Sequence, residues 1–112
     1  MSENEIKKII KFYIDCLKES GIKVSKAVLF GSRAKGTAKK ESDIDVVIVS
    51  DAFKNKDIFE RAEMIVKAEE KTMKKFVAPM DVILMTVNEY NRKDSLTAAA
   101  ARQEGRLLYS IR

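Results

Sequence analysis

Apolar residues recur at helical spacing from Glu3 to Ser20. Ile6, Ile9, Ile10, Tyr13 and Leu17 fall on one face, and Gly21 follows as a C-terminal stop. The pattern then shortens. Residues 24 to 30, apolar at Val24, Ala27, Val28, Leu29 and Phe30, predict a buried strand, and residues 43 to 50, built on Val46-Val47-Ile48-Val49, predict a second. Asp57 is placed to cap a long helix reaching about Phe76, with Ile58, Ala62, Ile65, Met73 and Phe76 as its inward stripe. Pro79 precedes a third strand over 80 to 86, and a final helical region is expected from Asn88 to about Tyr109. Strands joined through helices predict an α/β (α+β) fold, a small mixed β-sheet flanked by helices.

Composition narrows the class. A chain of 112 residues, 46% hydrophobic, can bury one core but not two, and it has no repeats or linkers, so residues 1–112 are expected to form a single domain. No apolar run approaches the roughly 20 residues that span a bilayer. The N-terminus Met-Ser-Glu-Asn-Glu lacks the order of a signal peptide, so no membrane association and a cytoplasmic location are expected. The lone Cys16 can form no internal disulfide. With no histidine in the chain, a zinc site and a Ser-His or Cys-His nucleophile are both excluded, and a general base has to be a carboxylate, a Lys, a Tyr or metal-bound hydroxide. The net charge of +5 is compatible with a nucleotide or nucleic-acid partner. Basic and acidic residues are interspersed, however, and read mostly as solvated helix surface.

The segment between the first two strands carries the chemistry. Gly31 permits a sharp turn and close backbone approach, and Ser32 offers a hydroxyl and an amide to a phosphate oxygen. Arg33-Ala34-Lys35 begin a short helix ended by Gly36, whose free N-terminal amides suit an anion. Arg33, Lys35, Lys39 and Lys40 add positive charge nearby. Asp43 and Asp45, two apart at the start of a strand, point to one face while Ile44 turns into the core. Adjacent carboxylates repel unless a cation, a shared proton or hydration relieves them. Magnesium is commonly held by one or two carboxylates together with substrate phosphates, and two such ions can serve phosphoryl transfer. Gly-Ser or Asp-x-Asp alone marks little more than a turn or a polar strand end. Joined at this spacing between two apolar strands, they point to a nucleoside triphosphate with magnesium.

Gly31-Ser32, ten residues, then Asp43-Ile44-Asp45 resembles the nucleotidyltransferase domain of the DNA polymerase beta superfamily. The likeness is nearest to its minimal nucleotidyltransferases, usually encoded beside a HEPN-domain partner. The motif core, Val28 to Ser50, covers about a fifth of the chain, and the order of elements agrees over nearly its whole length. The resemblance implies a polymerase beta-like nucleotidyltransferase fold and a third carboxylate on a later strand, a role that Asp81 fits in Pro79-Met80-Asp81-Val82-Ile83-Leu84-Met85. It further implies Asp43, Asp45 and Asp81 as catalytic residues and ligands of two Mg2+ ions, Gly31, Ser32 and Arg33 as nucleotide-binding residues, and ATP as the substrate. The acceptor would be a side-chain hydroxyl on a HEPN toxin, with this chain as antitoxin.

Two rivals stand beside that reading. One is transfer to a small molecule, as in aminoglycoside nucleotidyltransferases; the other is a non-catalytic antitoxin or scaffold that binds its partner and a nucleotide. A nucleic-acid substrate is disfavoured, since no further domain would grip a template. Phe12, Ile14 and Cys16 in the first helix, and Leu96, Leu107, Leu108, Tyr109 and Ile111 near the C-terminus, exceed what the predicted sheet needs. They either complete the core or form a patch for homo- or hetero-oligomeric association.

Overall fold

The computed structural model describes residues 1–39 and 43–111. Lys40, expected to add charge beside the turn, lies outside the described residues. Helix α1, Glu3–Glu19, starts from a capping box in which the Ser2 hydroxyl accepts from the Glu5 amide and the Glu5 carboxylate accepts from the Ser2 amide. Strand β1 covers Lys26–Phe30, and helix α2, Gly31–Lys35, follows without a break. Strand β2, Ile44–Val49, is followed by a 3-10 turn at Asp51–Phe53 and by helix α3, Ile58–Phe76. Asp57 caps α3 as the sequence predicts, again in a capping box, here with Glu60. Strand β3, Met80–Met85, helix α4, Val87–Tyr90, helix α5, Leu96–Glu104, and strand β4, Arg106–Ser110, complete the order.

The strands form one mixed sheet in the order β3-β2-β1-β4. β1 is antiparallel to both β2 and β4, while β2 and β3 run parallel, joined through α3. Helices cover both faces, and period-2 alternation along the strands divides the core. Ala27, Leu29, Ile44, Val46 and Ile48 face α1 and α3, whereas Val28, Val47 and Val49 face Tyr90, Ala98 and Ala101 of α4 and α5. The mixed α/β architecture agrees with the expected fold class.

Two expectations are corrected. The final region is not one helix: α4 and α5 are short, and residues 106 to 110 form β4 on the free edge of β1. Gly105 makes that ending possible, because a β-carbon there would overlap the Ala101 carbonyl and the Val28 side chain. The chain can fold back against β1 only at a residue without a side chain.

The inward stripe of α3 is also rotated from the expected one. Ile65 is buried, but its buried companions are Ala68 and Thr72, while Ile58, Ala62 and Met73 face outward. Small residues let α3 approach α1 closely, and the Thr72 hydroxyl donates to the Ala68 carbonyl at 2.8 Å, so its burial leaves no polar group unpaired. Ile14 and Cys16, surplus on sequence grounds, are buried, and Phe12 meets Phe76 edge-on at 5.5 Å. Leu96, Leu107 and Ile111 remain exposed.

Candidate active site

The β1–α2 junction builds one wall of the site. Gly31 turns the chain from strand to helix with φ +71°, and Gly36 ends α2 with φ +77°, both left-handed conformations that glycine adopts without penalty. Phe30, in the N-cap position of α2, makes no side-chain capping bond. Ser32 and Arg33, both half-buried, sit in this turn, and Lys35 reaches Glu104 of α5 at 3.8 Å.

The carboxylates come from the neighbouring strands. In the parallel β2–β3 pair Asp45 lies opposite Asp81, and in the antiparallel β1–β2 pair it lies opposite Phe30. The Ile44 amide donates to the Pro79 carbonyl at 3.0 Å, which extends the β2–β3 ladder by one bond and fixes Asp43 beside the start of β3. Asp43 itself is exposed and precedes β2 rather than belonging to it. Asp45 shares the sheet face of Val47 and Val49, at the end that α4 and α5 leave uncovered. Its carboxyl is pushed above the usual aspartate range, first by burial and then by the charges of Asp81 and Asp43. The three sequence-predicted carboxylates are therefore electrostatic neighbours.

Gly31 closes the arrangement. A β-carbon at this position would overlap Asp45 Oδ2, so the turn and the carboxylate are packed directly against one another. Every sequence-predicted site residue thus lies at one end of β1, β2 and β3. Phe30, which sequence reasoning did not single out, flanks Asp45 on the same face. Its signal was its place two residues after Val28 in the strand that ends at Gly31.

The donor set is all oxygen, which suits a hard cation such as magnesium and not zinc. Among the described residues no three of His, Cys, Asp or Glu are already gathered into a metal-ligand cluster. A cation held by Asp45 with one neighbour would draw its remaining ligands from phosphate and water, the usual habit of magnesium.

The model of the nucleotidyltransferase domain family matches residues 5–107. The chain belongs to that family. The chain is also similar to individual proteins. It is 29% identical over 104 residues to a protein of Methanocaldococcus jannaschii assigned as a protein adenylyltransferase, covering 91% of this chain and 96% of that one. Its fold matches a crystal structure assigned as a nucleotidyltransferase from Sulfolobus solfataricus, with TM-score 0.69 and 20% identity over 96% of this chain and 82% of that one. It also matches a toxin–antitoxin structure with AMP-PNP, with TM-score 0.63 and 20% identity over 93% and 73% of the two chains. A mutant MntA-HpeT toxin–antitoxin structure matches with TM-score 0.56 and 16% identity over 98% and 74%. In this nucleotidyltransferase no helix among the described residues is long and apolar enough to cross a membrane.

Proposed function

We propose that this nucleotidyltransferase transfers AMP from ATP, with magnesium, to a side-chain hydroxyl of a HEPN-domain toxin, and so acts as its antitoxin in the cytoplasm. The observation that carries the reading is Asp45 facing Asp81 across two parallel strands, with the Gly31 turn packed against the Asp45 carboxylate. In this reading the amides of the turn and the Ser32 hydroxyl hold the triphosphate, and Arg33 adds positive charge. Asp43 and Asp45, with Asp81, would hold the magnesium, which when bound neutralises charge developing on the phosphates. The acceptor oxygen attacks the α-phosphorus, its proton passes to a carboxylate for which Asp81 is the candidate, and the bond to the β-phosphate breaks to release pyrophosphate. Support for a protein acceptor comes from the M. jannaschii relative assigned as a protein adenylyltransferase, and support for the toxin from the toxin–antitoxin fold neighbours.

The test is incubation of the purified chain with ATP, magnesium and a HEPN-domain protein encoded beside it, followed by intact-mass measurement. Stepwise gain of AMP units on the HEPN protein supports the proposal. Labelling of an aminoglycoside-like small molecule instead, or tight binding with no transfer, would move the assignment to one of its two rivals.

A further inference from the structure

Helix α3 carries a second apolar face that this chain does not cover. Ile58, Phe59, Ala62, Val66 and Met73 are exposed along it, and Val77 follows at its C-cap; Phe59 is 75% and Val77 78% exposed. At 100° per residue the five helical positions make one stripe, offset from the buried Ile65, Ala68 and Thr72 toward the open edge of β3. Val77 sharpens the point. It adopts φ +48°, a left-handed conformation in which a β-branched residue is a genuine outlier, and an exposed valine gains nothing there from its own chain.

The charges flanking the stripe name its occupant. Glu63 borders the stripe in the first half of α3 and Lys74 in the last. A parallel neighbour would set each charge against its own kind. An antiparallel copy of the same helix reverses the order. Centred between Ala68 and Glu69, it brings Glu63 opposite Lys74, twice by two-fold symmetry. The same register sets Phe59 near Val77 and Ala62 near Met73. We propose that the chain forms a two-fold dimer through antiparallel packing of α3 on α3 of a second copy. The carboxylate site lies on the opposite sheet face and stays open in both copies. The cost falls on Glu69, half-buried beside Val82 and Leu84, which meets its own copy near the axis.

Sedimentation equilibrium of the full chain, from about 1 to about 500 μM, brackets a weak specific dimer. Wild type should dimerise. Glu63→Lys, at an exposed position where folding is not at stake, should weaken the dimer about tenfold, because two favourable pairs become repulsive. Glu63→Lys with Lys74→Glu should restore it, Val66→Glu should abolish it, and Glu69→Gln should tighten it. A chain that stays monomeric throughout, that associates only with a different protein, or whose dimer ignores Glu63→Lys would overturn the proposal.

Discussion

Gly31 and Asp45 are packed so closely that no side chain fits between them: a β-carbon on Gly31 would overlap Asp45 Oδ2. The turn that ends β1 and the carboxylate that begins β2 are therefore one mechanical unit. Gly31→Ala adds this clash to a backbone at φ +71°, so it should destabilise the fold by about 1–3 kcal/mol. Nucleotide transfer should fall much further than stability, because Asp45 must move. Denaturant melts and transfer rates on one preparation check both, and transfer above half of wild type would show that the contact is not needed.

Asp43→Asn and Asp45→Asn should each abolish transfer while leaving the fold intact, as judged by far-UV circular dichroism. Ser32→Ala should be milder, since one neutral hydrogen bond contributes about 0.5–1.5 kcal/mol, or roughly two- to tenfold in rate. Near wild-type transfer in both aspartate variants would remove them from the site.

The raised carboxyl of Asp45 gives a stability test. A carboxyl that binds its proton more tightly folded than unfolded makes the fold more stable at low pH, and that stability is lost as pH rises through the folded value. Without ligand, Asp45→Asn should equal or exceed wild type at pH 7, and any advantage should vanish below the ordinary aspartate value of 3.8. With magnesium and a non-hydrolysable ATP analogue at a hundred times the dissociation constant, wild type should gain about 2.7 kcal/mol, most of which the variant should lose. Equal shifts in both proteins would mean that Asp45 does not contact the ligand.

Arg61 ties α3 to α4. Its guanidinium donates to both Glu89 oxygens at 2.7 and 2.9 Å and to the Leu84 carbonyl at 3.3 Å. This hydrogen bonding holds the Glu89 carboxyl below its ordinary value of 4.5, so the pair adds stability above that value and loses it as pH falls through the folded one. Arg61→Ala should cost about 1.5–3 kcal/mol at pH 7. The cost should shrink on acidification, as a pH series of chemical melts would record.

What the sequence determined by itself was local chemistry. Gly31, Ser32, Asp43 and Asp45 lie within one short segment whose residue types already limit the turn and the charge. The caps at Asp57 and Gly36 were legible because a capping bond or a left-handed residue spans only a few positions. Tertiary structure alone decided which elements meet. The β2–β3 register that sets Asp81 opposite Asp45 depends on strands separated by all of α3. The face that α3 buries was set by the neighbouring α1 and not by its own apolar count. Leu107, Leu108 and Tyr109 continue the apolar pattern of a helix, yet they became a strand because β1 offered an open edge and Gly105 could pass against Val28. Edge pairing and close packing are contacts between distant segments, and a single chain read in order carries no signal for them.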